Sequence, residues 1–339
     1  MKILIYNEDY ETVKESGVGK AIDHQKKALD LAGVSYTLDS NDDYDICHIN
    51  TVFPKSASFA KKAKKSGKKV VYHAHSTKED FENSFILSNQ LAPLFKKWLI
   101  YCYKQGDLIL TPTDYSKNIL ESYKIGKEIK VVSNGIDLDF WKGKKEDREN
   151  FYQRYGLDKN KKSIISVGLF IERKGILDFV DLAKKLPQYE FVWFGELNLN
   201  LVPEKIKKAV QTDLKNLHFP GYVDQEALRE AYAGSDLYIF PTFEETEGIV
   251  LLEAISSKTD IIIRDIEIYK NLEDGKEIYK AKDIEEFYQK IKLILEGKSP
   301  SLKNEAYKIA QEKSIENVGK ILKKYYEDLL KGGEKWEVL

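Results

Sequence analysis

Arginine is missing from the first 147 residues, so any anion bound by that part of the chain must be met by lysine, histidine or backbone amides. Cysteine is scarce as well. Cys47 and Cys102 stand far apart, in no spacing that suits a metal, and read as small apolar residues of a reducing interior. No apolar run approaches the ~20 residues that a bilayer crossing needs, and strand-like residues 2–6 stand where a signal peptide would. A cytoplasmic protein, soluble or peripheral on the inner face of a membrane, is expected. Neither sign of charge prevails: the formal net charge is −1, which gives no footprint for nucleic acid. The chain does have bulk, with 339 residues, 42% of them hydrophobic and 12% aromatic, enough for two ordinary cores.

Strand-like stretches recur at 2–6, 34–38, 45–50, 69–73, 108–111 and 130–133, with helical stretches between them. That alternation predicts a parallel sheet covered on both faces. The turn Ser133-Asn134-Gly135 and a charged helical segment at 142–155 close a first domain near residue 140. The alternation then restarts at 163–167, 190–194, 216–219, 236–240 and 260–264. The expected fold class is α/β, two Rossmann-like domains spanning 1–140 and 141–314.

Several strand ends carry candidate chemistry. After the first strand, Ser16-Gly17-Val18-Gly19-Lys20 leads into a helix with Ile22, Ala28, Leu29 and Leu31 that stops at Gly33. The third glycine of a dinucleotide fingerprint is missing. A P-loop fits poorly too, because Ala21 stands where its Ser or Thr should be and Lys14 where its first glycine should be. Gly17 and Gly19 therefore form either a turn closing on a neighbouring strand or a loop whose amides face a substrate. Strand 69–73 runs into His73-Ala74-His75, and ligands collect at the carboxyl ends of such strands. His73 continues the strand. His75 lies beyond it, where an imidazole can donate to a hydroxyl or a developing charge. The acidic run from Asp42 to Asp45 reads as a turn before a strand rather than a metal site.

In the second half, Arg173-Lys174 follows the first strand and precedes a helix, so two cations and helix-start amides could clamp a diphosphate. The stretch 240–254, FPTFEETEGIVLLEA, places Glu245 in a loop and Glu253 inside the following helix, with Gly248 allowing close approach of a ligand to the amides between them.

Taken together, Gly17-Val18-Gly19, His75, Ser133 to Asp137, Arg173-Lys174 and the pair Glu245 and Glu253 resemble, in order and over nearly the whole chain, the motifs of glycosyltransferase family 4, retaining enzymes of GT-B architecture. The resemblance implies two domains facing across a cleft, with the C-terminal helix (about 315–339) returning to the first. It implies a UDP-hexose as donor substrate, with no separate cofactor and no metal. Glu253 would hold the ribose and Glu245 would lie by the sugar. The amides near Glu247, Gly248 and Ile249 would meet sugar hydroxyls, and Val250 and Leu251 would lie near the phosphates. Arg173 and Lys174 would neutralise the diphosphate, and His75 would touch the donor sugar. Residues 253–260 lack the Gly and Pro common in the family after its second glutamate. The runs 75–85 and 244–250 look like a narrower branch, the bacterial synthases that glycosylate diacylglycerol or glucosyl-diacylglycerol. No residue identifies the hexose as glucose or galactose.

Two stretches speak for an anionic membrane surface as partner. Residues 55–69 hold seven lysines and no acid on a helix with a small apolar face of Ala57, Phe59, Ala60 and Ala63. Leu91, Leu94, Phe95, Trp98, Leu99 and Cys102 fall on one helical face, expected to be core, with Ile100, Tyr101 and Tyr103 adding apolar surface off it. Near the end, 305–330 reads as one amphipathic helix, followed by a fraying tail from Gly332-Gly333 to Trp336. The competing readings are a family 4 enzyme acting on a non-lipid envelope or capsular saccharide, and a catalytically silent sugar-nucleotide-binding protein.

Overall fold

The computed structural model describes residues 1–332 and divides them into two compact units. The expected fraying of Gly333 to Trp336 lies outside the described residues. Unit 1 comprises residues 1–78, 91–137 and 313 onward; unit 2 comprises 79–90 and 138–312. Residues 79–90, which lie inside the first domain in the sequence reading, thus group with unit 2.

In unit 1, six parallel strands, β1 (Lys2–Tyr6), β2 (Ser35–Thr37), β3 (Ile46–Ile49), β4 (Lys69–His73), β5 (Leu108–Thr111) and β6 (Glu128–Val131), are ordered β2-β1-β3-β4-β5-β6. Their inner strands β3 and β5 are buried along their whole length, and mostly apolar, because helices cover both faces. One face packs Ala57, Ala60, Ala63, Leu99 and Cys102 against the sheet. The other packs Ile22, Ala28 and Leu29 of the Gly17–Leu31 helix with Val318, Leu322 and Tyr326 of the Ile315–Leu330 helix.

Three local expectations change. Leu31 is exposed. The apolar stripe of the Ser88–Tyr103 helix is rotated, so that Ala92, Leu99, Cys102 and Tyr103 are buried while Leu91 and Leu94 face solvent. The 305–330 helix is two, Lys303–Glu312 in unit 2 and Ile315–Leu330 in unit 1, because Ser314 caps the second by accepting from the Asn317 amide. The acids before β3 each take a partner: Asp42 accepts from Lys2, Asp43 from Lys68, and Asp45 from the Lys2 amide.

Unit 2 has β7 (Ser163–Val167), β8 (Glu190–Phe194), β9 (Leu217–Gly221), β10 (Leu237–Phe240), β11 (Ile261–Arg264) and β12 (Tyr279–Ala281), ordered β12-β11-β10-β7-β8-β9 and all parallel. The short last strand is absent from the sequence reading. The chain winds outward from β7 through β8 and β9, then restarts at β10 on the other side of β7. That reversal opens a crevice beyond the carboxyl ends of β7 and β10.

Candidate functional site

The loops that leave β7 and β10 carry the charged residues singled out above. After β7, Glu172–Lys174 forms one 3₁₀ turn, and Gly175 turns left-handed (φ 80°) to start the Ile176–Lys185 helix. A Cβ on Gly175 would lie 2.3 Å from the Pro241 carbonyl oxygen, so only glycine lets the two loops touch. They are also stitched by a hydrogen bond, the Phe243 amide donating to the Arg173 carbonyl (2.8 Å), and the Thr242 hydroxyl oxygen lies 3.2 Å from the same oxygen.

Both cations are already engaged. Lys174 Nζ lies 2.5 Å from Glu245 Oε1, which also accepts from Thr242 (3.0 Å). Arg173 is nearly buried and donates from Nη1 to Asp80 (2.8 Å) and to the Glu244 carbonyl (2.8 Å), and from Nε to Ser84 (3.3 Å). The pair expected to face a diphosphate is therefore neutralised in place. Asp80 and Ser84 lie on the 79–90 segment, whose main chain accepts from the Arg173 amide at Asn83 (3.4 Å). A 420 Å³ cavity beside Arg173 is lined by Glu79, Glu82, Asn83, Glu172, Phe243 and Glu244. Its walls are acidic, so an anion gains attraction there only where a carboxylate yields its cation.

Glu253 sits fully buried in the Ile249–Ser256 helix and accepts from the Tyr232 hydroxyl (3.1 Å). Burial, together with the neighbouring carboxylate, raises the Tyr232 pKa and keeps that hydroxyl a donor. Gly248 starts the helix at φ 84°, and a Cβ there would meet the Tyr269 hydroxyl at 2.7 Å. The Leu251 amide bonds back to the Gly248 carbonyl (2.9 Å). The amides of Ile249 and Val250 precede it in the first turn, where no intrahelical carbonyl is available to them. Glu247 is buried, and its carbonyl accepts from Tyr269 (3.0 Å).

Comparison with known proteins matches residues 23–140 to a model described as Glycosyltransferase Family 4 and residues 147–313 to one described as Glycosyl transferases group 1. A processive diacylglycerol alpha-glucosyltransferase of Acholeplasma laidlawii is 40% identical over 98% of this chain and 99% of its own. The chain belongs to glycosyltransferase family 4. An alpha-galactosylglucosyldiacylglycerol synthase of Streptococcus pneumoniae is 28% identical to this family 4 chain, over 86% of it and 79% of the synthase. Among solved structures, HepE of Anabaena in complex with UDP and glucose superposes with a TM-score of 0.76 at 17% identity, covering 96% of this chain and 99% of that one. Sucrose-phosphate synthase of Thermosynechococcus elongatus superposes at 0.78 and 14%, covering 98% and 100%. These likenesses show the GT-B fold.

Arg173, Lys174 and Glu245 come together in one cluster of unit 2, followed on the same loop and helix by Glu247, Gly248, Ile249, Val250, Leu251 and Glu253. Gly17, Gly19 and His75 belong to unit 1. The glycine loop is a helix start rather than a loop: Gly17–Leu31 is helical, Ser16 caps it, and a Cβ on Gly19 would lie 2.3 Å from the Val13 carbonyl oxygen. Gly19 is thus a close-packing position, and a helix Tyr10–Val13 precedes it. His75 is half-buried beyond β4, stacked on His73 at 4.1 Å, and donates from Nε2 to Asn50 (3.0 Å). Burial lowers its pKa to about 4, so the ring is neutral at ordinary pH. Sequence reasoning misses Asp80, Thr242 and Tyr232 as partners of the site. The acid-rich run at 79–82 is the one signal that could have pointed to Asp80.

Proposed function

We propose that this chain moves a hexose from a UDP-sugar to a membrane lipid, diacylglycerol or a glucosylated diacylglycerol, with retention at the anomeric carbon and without a resident metal. The observation that carries the reading is the 40% identity, along nearly the whole of both chains, with the Acholeplasma laidlawii diacylglycerol glucosyltransferase. An alpha product made from an α-linked UDP-hexose is retention. In the step itself, the bond from the anomeric carbon to the β-phosphate oxygen breaks while one to the acceptor hydroxyl forms. The acceptor's proton ends on the departing phosphate. Arg173 and Lys174 exchange Asp80 and Glu245 for that phosphate, and a cation aimed at charge that grows during the step contributes about 3 kcal/mol. Glu253 accepts from the ribose hydroxyls, and the Ile249 and Val250 amides face the donor.

The lipid reading draws further support from surface chemistry. Phe85, Ile86 and Leu87 are exposed beside Leu201, whose carbonyl accepts from the Ile86 amide. Leu91 and Leu94 are exposed on the helix that follows. In the Pro54–Lys65 helix the apolar alanines are core, and Lys55, Lys62 and Lys65 face solvent. Exposed apolar side chains and exposed lysines are each what the boundary of an anionic bilayer attracts. Among the described residues no helix is long and apolar enough to cross one.

The decisive experiment incubates purified protein with UDP-glucose or UDP-galactose against diacylglycerol and glucosyl-diacylglycerol vesicles, with products read by mass. A hexose added to one of the lipids is expected. Donor hydrolysis without lipid product, or transfer only to soluble saccharides, would replace this reading with the envelope-saccharide one.

A further inference from the structure

Tyr269 belongs to none of the motifs named above, yet within unit 2 its side chain reaches the loop that carries them. It ends the 3₁₀ turn Glu267–Tyr269, which follows β11, and it is buried, its ring 6.4 Å from that of Phe240 on β10. The turn is pinned from behind. Buried Lys280 on β12 donates from Nζ to the Tyr269 carbonyl (3.1 Å) and pairs with Asp265 (2.6 Å). From this base the Tyr269 hydroxyl donates to the Glu247 carbonyl (3.0 Å). Burial first, and the Glu245 carboxylate next, raise its pKa well above the usual tyrosine value, so the hydroxyl keeps the proton it donates. A Cβ on Gly248 would lie 2.7 Å from that hydroxyl, so a side chain at 248 would push it off the carbonyl.

The consequence lies in the peptide between Glu247 and Gly248, which is trans. In a trans peptide the carbonyl and the N–H that follows it point in opposite directions. A Glu247 carbonyl held by Tyr269 therefore turns the Gly248 amide away from Tyr269. Gly248 is left-handed (φ 84°, ψ 67°), and Ile249 begins a right-handed helix. Such a pair turns three successive N–H groups, here those of 248, 249 and 250, toward one concavity. The helix itself fixes the amides of Ile249 and Val250. It does not fix the Gly248 amide, whose peptide lies before the first turn, and the Tyr269 hydroxyl supplies that constraint. We infer that Tyr269 is a positioning residue that holds the Glu247–Gly248 peptide so that the Gly248 amide joins those of Ile249 and Val250 in facing the donor. Resting on the reading above, in which this helix start meets a UDP-hexose, the Gly248 amide donates to a hydroxyl of the hexose. UDP, which lacks the hexose, does not use it.

The test uses the full-length chain with Tyr269→Phe, which removes one oxygen and keeps the buried ring. For UDP-glucose or UDP-galactose, whichever is transferred, kcat/KM should fall about threefold to tenfold, the worth of one hydrogen bond, while inhibition by UDP stays within about twofold of wild type. The peptide itself is read with ¹³C-carbonyl glutamate and ¹⁵N-glycine, because the chain has two Glu-Gly pairs, 247–248 and 296–297. The 247–248 signal, assigned as the one that persists in Gly297→Ala, should move in unliganded Tyr269→Phe. In the wild type it should move when the UDP-hexose is added. A 247–248 signal at its wild-type position in Tyr269→Phe, or a displaced one with wild-type kcat/KM, would overturn the proposal. Equal weakening of UDP and UDP-hexose would overturn it too, by making the hydroxyl a support of the whole site. Calorimetric binding of UDP-hexose to the wild type that leaves this signal unmoved would remove the proposal and leave the donor reading standing. No binding of UDP-hexose at all would remove both. Where Tyr269→Phe unfolds by circular dichroism, Lys280→Met, which frees the turn behind Tyr269, carries the same measurements.

Discussion

Arg173 commits three of its five N–H donors within the protein: two from Nη1, to Asp80 and the Glu244 carbonyl, and Nε–H to Ser84. A phosphate arriving at this guanidinium competes with a carboxylate for the same donor. Asp80→Asn should therefore tighten UDP binding several-fold, because the charge that competes is gone while the side chain keeps its size. Arg173→Ala should weaken it about tenfold to a hundredfold, the worth of a charge-assisted hydrogen bond. Calorimetric titration with UDP ranks the three proteins. Weaker binding by Asp80→Asn would mean that Asp80 supports the site rather than competing for it. Glu253 asks for a gentler probe than alanine, because truncation also strips a partner from the buried Tyr232 hydroxyl. Glu253→Gln keeps an acceptor there and should still lose most transfer.

Helix packing turns on two glycines that look alike in sequence to a third. A Cβ on Gly319 would lie 2.2 Å from the Ala28 carbonyl oxygen, and one on Gly19 would be 2.3 Å from that of Val13, whereas Gly17 has nothing within 4 Å. Gly319→Ala and Gly19→Ala should each cost about 1–3 kcal/mol of stability, and Gly17→Ala should stay within about 0.5 kcal/mol of wild type. Urea midpoints separate the cases, and an undiminished Gly319→Ala would mean that the two helices can part at little cost. The strands were readable from sequence because a strand buried on both faces is mostly apolar, as at Leu108–Thr111 and, apart from His48, at Ile46–Ile49. The loop-to-helix placement of Glu245 and Glu253 was readable for a similar local reason, a glycine before an apolar helix. What escaped depends on distant partners. Nothing near Asp80 announces Arg173, nothing near Gln25 announces Tyr326, and the Ser314 break interrupts a helical pattern that otherwise runs on.

Across the whole molecule, charge is balanced in sum yet uneven in place. Four lysines of the Pro54–Lys65 helix are exposed, Lys55, Lys61, Lys62 and Lys65, of which Lys61 donates to the Tyr101 hydroxyl, while Lys64 and Lys68 nearby pair with Asp107 and Asp43. Binding to anionic vesicles should weaken steeply as salt rises, at ~1 kcal/mol per lysine near the surface. Replacing Lys55, Lys62 and Lys65 by Glu should remove most of that salt dependence, and replacing Phe85, Ile86 and Leu87 by Ser should remove the salt-resistant remainder. Cosedimentation that ignores salt would defeat the electrostatic half. The division of the chain also orders its birth. Unit 1 opens the sequence but is finished by the Ile315–Leu330 helix, after about 175 residues of unit 2 have been made. At ribosomal speed that is a wait of roughly ten to thirty seconds. During it the Gly17–Leu31 helix stands without the partner that covers Ala28, and buried His48 and Gln25 stand without the Tyr326 hydroxyl that both of them bond. The half of the enzyme translated first is the half completed last, so a nascent chain stalled before residue 313 exposes an apolar seam to whatever chaperone meets it.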